Sequence, residues 1–337
     1  MVNALPGETT NTRKRGGYWK MICKLLWAYR LAGIREVGSR AHHNNTHMNM
    51  QRYLFLLAIG FGVASLQAQV SPLSPDPNPP AQIAGYKLVW SDEFNYTGKP
   101  DSANWRYELG FERNQELQWY QPDNANCHDG ALHIVAKRKR VKNPNYSPST
   151  NDWRRNREFA EYTASSIKTQ GKQSWQYGRF LIRAKIPAFM GSWPAIWTLG
   201  VAQSWPSCGE IDIMEYYRNF ILANAAWGSS ARYQAKWDTS MTPYSHFTDK
   251  DPEWATKYHI WRMDWTEESI KLYLDDELLN ETDLSETLNA NGTNPFHQPH
   301  YLLLNLAVGG QNGGDPGGTE FPLTYSIDYA RVYQITE

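Results

Sequence analysis

From residue 86 to the C-terminus the chain is a succession of short runs that alternate apolar and polar residues, and long helical periodicity is scarce. Residues 86–90, 131–136, 178–185, 258–265, 270–274 and 325–333 are such runs, separated by Gly, Pro, Asn and Asp. A period of two places every second side chain on one face, as half-buried strands require. Asp275, Asp276 and Glu277, between two apolar runs, read as a hairpin turn. No internal repeat is visible. The expected fold is all-β, a β-jelly-roll sandwich of two antiparallel sheets formed by residues 86–337 as one domain.

The N-terminal quarter of the sequence has a different texture. Residues 52–64 are an apolar run behind Arg52 that ends near Ala64, Ser65 and Ala68. That is the anatomy of a secretory signal peptide, too short and wrongly flanked for a membrane span. Met48 and Met50 lie just before it. The expectation is a signal peptide over 48–68, with 1–47 a non-native or disordered extension. Residues 69–85, rich in Pro, read as a linker. Secretion or periplasmic location follows, with no membrane contact in the mature form, a monomeric state and a bacterial source.

Residues 1–47 and Arg52 hold nine of the 34 Lys and Arg but only two of the 34 acids, which leaves 25 basic and 32 acidic residues in the body. A mildly acidic body argues against nucleic acid and suits a neutral polymer. The 15 Trp serve a β core or a sugar-binding face equally well. Of the three cysteines, Cys127 and Cys208 fall in the body, where one disulfide or two buried thiols are both open. No paired spacing suggests zinc.

Glu210-Ile-Asp-Ile-Met-Glu215 places three acids within six residues. On a strand, Glu210 and Asp212 share one face and Ile211 and Ile213 the other. Strict alternation would then bury Glu215, which is costly. One extra residue, a β-bulge, returns it to the face of the other two. Tight carboxyl spacing on one strand favours a retaining glycosidase, with Glu210 as nucleophile, Glu215 as acid/base and Asp212 between them. A solvated acidic face or a calcium site remains open on these residues alone. Trp193 and Trp197, at even spacing just upstream, could face the same side and stack on sugar rings, or lie in the core.

The Glu-Ile-Asp-Ile-Met-Glu string resembles the catalytic signature of glycoside hydrolase family 16 in its bulged form. Residues 88–95, 114–120, 191–197, 303–310 and 327–333 resemble further blocks of that family in order, so the resemblance covers nearly all of 86–337. It implies a jelly roll with a concave cleft, endo cleavage of β-linked glucans or galactans with retention, and no cofactor for catalysis. It also implies a structural calcium ion held by Glu93, a carbonyl near Gly130, and Asp328. Asn114, Glu116, Trp119, Asn224 and Gln311 become candidate substrate contacts. The laminarinase-like branch is the most similar, which points to endo-β-1,3-glucanase activity on laminarin or mixed-linkage β-glucan. Trp227 stands near where that branch carries a His. A ring there could reshape the neighbouring subsite for galactose, or Trp227 could lie in the core; on the first reading an endo-β-1,4-galactosidase on host O-glycans, poly-N-acetyllactosamine or another galactan is the alternative. A transglycosylase and a non-catalytic sugar-binding jelly roll are further readings. The insert 142–153 is expected to line one end of the cleft.

Overall fold

The computed structural model describes residues 70–231 and 233–336. The extension and signal peptide expected before residue 69 lie outside them. Seventeen strands follow in order: β1 Tyr86–Asp92, β2 Arg106–Tyr107, β3 Gln118–Tyr120, β4 Ala125–His128, β5 Ala131–Lys142, β6 Phe159–Ala164, β7 Ser166–Lys168, β8 Gly178–Lys185 and β9 Ser192–Gly200. Then come β10 Glu210–Tyr217, β11 Phe220–Gly228, β12 Ala235–Pro243, β13 His259–Trp265, β14 Ser269–Leu274, β15 Glu277–Asp283, β16 His300–Val308 and β17 Leu323–Ile335.

They form two sheets, as alternation without helical periodicity requires. One has seven strands in the order β12-β11-β10-β9-β16-β7-β2; the other has ten, around the path β15-β14-β13-β8-β17-β5-β6-β3. Every pairing is antiparallel except that of β3 with β6. The core lies between the sheets. Ile211, Ile213 and Met214 of β10 and Leu302, Leu304 and Leu306 of β16 meet Phe180, Trp261, Trp265 and Tyr325 of the larger sheet. Each such large apolar side chain contributes roughly 1.5–3 kcal/mol on burial. The seven-stranded sheet is thereby left with an outer face free for another use.

The segment expected as a free linker is instead docked on the outer face of the ten-stranded sheet. Arg183 on β8 donates to the carbonyls of Ser74 at 3.0 Å and Ser71 at 2.6 Å, and to Asp328 Oδ2 at 2.6 Å. Asp328 also accepts from the Asp76 amide, and the Tyr258 amide donates to the Pro72 carbonyl. Because its prolines cannot donate, this strap is held mostly through its carbonyls, at Ser71, Pro72 and Ser74. Arg183 and Asp328 are both buried, so removing one partner leaves the other charged and uncompensated. Cys127 and Cys208 are buried free thiols, which settles the choice between them and a disulfide.

Arg183→Met should therefore lower the melting midpoint by about 5–10 °C, the scale of a broken buried ion pair in a domain of this size. A midpoint within 1 °C of the parent in differential scanning calorimetry would show that the strap adds nothing.

Candidate active site

The site is built by register. On the outer face of the seven-stranded sheet, directly paired residues form rows that cross the strands. Trp237, Ala226, Glu210 and Leu199 make one row. Thr239, Asn224, Asp212, Trp197 and Leu303 make the next. Met241, Leu222, Glu215, Ala195 and Asn305 make the third. The third row exists only because β10 slips. Between Asp212 and Glu215 its register shifts against β11, and between Asp212 and Met214 it shifts against β9. The extra residue lets Ile213 and Met214 both enter the core and returns Glu215 to the face of Glu210 and Asp212, as the bulge argument anticipates. Gly209, with φ of +79°, makes the left-handed turn into β10 that a side chain would strain.

These rows floor a cleft of about 850 Å³. Trp193 Nε1 donates to Glu215 Oε1 at 2.7 Å, and Trp205 Nε1 donates to Glu210 Oε2 at 2.5 Å. Asn224 Nδ2 donates to Asp212 Oδ2 at 3.0 Å and to Glu215 Oε2 at 3.3 Å. Asp212 is hydrogen-bonded to both glutamates. A hydrogen bond between two carboxyls needs a proton on one of them, and the setting of Asp212 favours its place there. Burial, then the charges of Glu215 and Glu210, push Asp212 well above the ordinary range.

The two glutamates are treated differently by their surroundings. Burial raises Glu215 to about 7 against the Trp193 bond that lowers it, with the charges of Glu210 and Glu116 adding to the rise. Burial also raises Glu210, but the bonds from Trp205 and Asp212 and the positive charge of Arg113 all pull it back. One carboxyl is thus suited to hold a proton near neutral pH and the other to give its proton up. That pair can supply a general acid and a nucleophile.

The cleft collects most of the expected contacts and rejects three. Trp193, Trp197, Asn114, Glu116 and Asn224 line it, as do Trp153, the last residue of the insert, and the adjoining Arg154. Glu116 is buried, bonded by Gln118 Nε2 at 2.7 Å, and raised to about 7, first by burial. Asn114 and Gln115 both have positive φ, and this sharp turn presents the Glu116 side chain. Trp119 lines a separate adjoining pocket with Phe111 and Tyr146 instead. Gln311 is exposed and off the cleft; its neighbour Asn312 lines it. Trp227 is corrected to the core: it lies an odd number of residues from Asn224 on β11, so it points inward and packs near Phe296. Sequence reasoning missed Trp205, Trp237 and Arg113. For Trp205 the signal was an aromatic residue in the Gly- and Pro-bearing loop five positions before Glu210.

The calcium ligands do not fit a metal. Asp328 is taken by Arg183, and Glu93 makes a two-pronged pair with Arg331, whose Nη2 lies 2.7 Å from Oε2. Gly130 faces Pro75 of the strap. No cluster of three acidic, His or Cys side chains suited to a metal occurs among the described residues.

Comparisons with known proteins point the same way. The profile of glycosyl hydrolases family 16 matches residues 118–331. A β-glucanase of Rhodothermus marinus is 34% identical over 304 residues, covering 86% of this chain and 96% of the relative. The X-ray structure of the laminarinase from Rhodothermus marinus has a TM-score of 0.61 at 34% identity, over 75% of this chain and 98% of that one. A structure from work on endo-acting O-glycanases, with which human gut bacteria initiate mucin breakdown, has a TM-score of 0.70 at 35% identity. It covers 77% of this chain and 95% of that chain.

Two pH effects follow. Glu116→Gln removes a negative charge that opposes ionisation of Glu215, so the alkaline limb of the kcat/KM profile should move to lower pH. An unmoved limb would remove Glu215 as the group that must stay protonated. A carboxyl raised on folding contributes stability below the ordinary carboxylate range, and that contribution is lost as pH rises through about 7 for Glu215. Glu215→Gln should therefore shrink the fall in melting midpoint between pH 5 and pH 8, read by calorimetry.

Proposed function

The chain belongs to glycosyl hydrolases family 16, and from that premise we propose that it is a retaining endo-β-1,3-glucanase acting on laminarin or mixed-linkage β-glucan. The single observation that carries the chemistry is the bulged strand, which sets Glu210, Asp212 and Glu215 on one face of an open cleft. In the first step a Glu210 oxygen attacks the anomeric carbon and the bond to the leaving oxygen breaks. Glu215 gives that oxygen its proton. In the second step water attacks the same carbon, Glu215 takes a proton from that water, and the ester to Glu210 breaks. Asp212 keeps its proton and donates it to Glu210, so that the attacking carboxylate is held in place. Trp205 does the same from the loop side.

The glucan substrate is supported by the resemblance to the β-glucanase and laminarinase of Rhodothermus marinus. A second reading, a galactosyl-cleaving endo-glycanase on host O-glycans, is favoured by the 0.70 TM-score against the mucin O-glycanase structure. It can no longer rest on Trp227, which faces the core. Endo action suits a cleft that runs on past the carboxylates in both directions, to Trp237 on edge strand β12 and to Trp153 at the insert. We also propose export, a monomeric state and a bacterial source. Export is supported by the apolar run at 52–64 and the acidic body.

A product profile on laminarin, mixed-linkage β-glucan, agarose-type galactan and a poly-N-acetyllactosamine glycan tests the substrate. Oligosaccharides from the glucans alone are expected; products from the galactosyl substrates alone would overturn the glucan reading. Glu210→Gln should lower kcat by at least about 10³-fold with an unchanged melting midpoint. Activity within tenfold of the parent would remove Glu210 as nucleophile.

A further inference from the structure

Trp197 lies in the middle row of the cleft floor, beside Asp212, where an indole face would make a platform for a sugar ring. That face is not free. The Arg113 guanidinium carbon sits 4.9 Å from the Trp197 ring centroid, and the ring is only 7% exposed. The indole itself cannot turn away. Its Nε1 donates to Asn305 Oδ1 at 2.7 Å, and Asn305 Nδ2 donates to the Tyr120 hydroxyl at 3.1 Å.

Arg113 is equally fixed. It is ion-paired with buried Glu108, which also accepts from Ser166 Oγ at 2.7 Å and Lys168 Nζ at 3.3 Å. Its Nη1 is buried without a hydrogen-bond partner, as a nitrogen held against an aromatic surface would be. A guanidinium stacks well on indole, and its charge is balanced by Glu108 from behind. The arrangement leaves a quarter of the Arg113 side chain open to the cleft, with 24% exposure.

We infer that Arg113 is a specificity-determining residue of this cleft: it occupies the Trp197 face on which a sugar would otherwise stack. The subsite there offers a charge-balanced polar surface in place of a ring. It suits a sugar that turns hydroxyl oxygens to the guanidinium at that point, rather than one laid with its flat C–H face on an indole. The inference rests on the retaining glycanase reading and refines its substrate choice.

A double-mutant cycle separates this role from a structural one. The protein carries Glu210→Gln to prevent turnover and Glu108→Gln throughout, so that removing Arg113 leaves no unpaired carboxylate. Arg113→Ala and Trp197→Leu are then made singly and together, and a laminarin oligosaccharide is titrated calorimetrically. With Arg113 present, Trp197→Leu should change Kd by less than about twofold. With Arg113 removed, Trp197 becomes a platform and its loss should weaken binding about tenfold, the scale of one aromatic contact. Equal effects in both backgrounds would overturn the inference. Absence of binding until Arg113 is removed, then binding that needs Trp197, would uphold it and overturn the glucan reading. No binding by any of the four proteins would overturn both.

Discussion

The structure depends on one extra residue in β10. A strand that buries alternate residues cannot carry Glu210, Asp212 and Glu215 on one face, because the interval from Glu210 to Asp212 is even and that from Asp212 to Glu215 is odd. The shift of register between Asp212 and Glu215 resolves this by sending Ile213 and Met214 together into the core. It works because the core side accepts two consecutive apolar side chains, each fully buried. Replacing either with a polar residue would strand that group between the sheets. The catalytic geometry and the packing of the sandwich are therefore one property of the strand, seen from its two faces.

Three carboxyls buried together on the cleft floor resist ionisation, and the surroundings decide which keeps its proton. Trp193 and Trp205 each give one indole N–H, to Glu215 and Glu210 respectively. The symmetry is broken by what lies beyond. Glu210 has Arg113 near it, whereas Glu215 has the further carboxyl of Glu116. Asp212, buried between two acids, is the natural place for a shared proton. The division of labour between two glutamates five residues apart thus starts from burial and the acids of their own strand, and is sharpened by charges carried on a distant loop, 108–116.

That division explains what could be read from the sequence. Alternation gave the all-β sandwich, and the cost of burying Glu215 gave the bulge, because both are local consequences of strand geometry. The same parity argument, carried from Asn224 to Trp227, would have placed Trp227 in the core; the resemblance led elsewhere. Gln311 missed the cleft by one residue, in a four-residue helical turn at Gly310–Gly313 where no period of two applies. Arg113 could not be found from spacing, since a loop sets its position. The strap was read as a linker because its contacts are backbone carbonyls, which composition does not reveal.

The remaining differences share one physical cause. Trp197 was expected to meet a sugar, and Asp328 and Glu93 a calcium ion. In each case an arginine already stands there: Arg113 on the indole, Arg183 on Asp328 and Arg331 on Glu93. A guanidinium can do all three because it is planar, stacks on rings, and fills a carboxylate with two parallel hydrogen bonds. A motif names the group that would receive a ligand, but not the side chain from a separate strand or loop that reaches it first. Arg183 and Arg331 lie on β8 and β17, paired strands of the ten-stranded sheet, so the carboxylates expected to hold calcium are neutralised from that sheet itself. With that face closed by its own cations and the strap, the open cleft on the other sheet is where these residues leave a polymer room to bind.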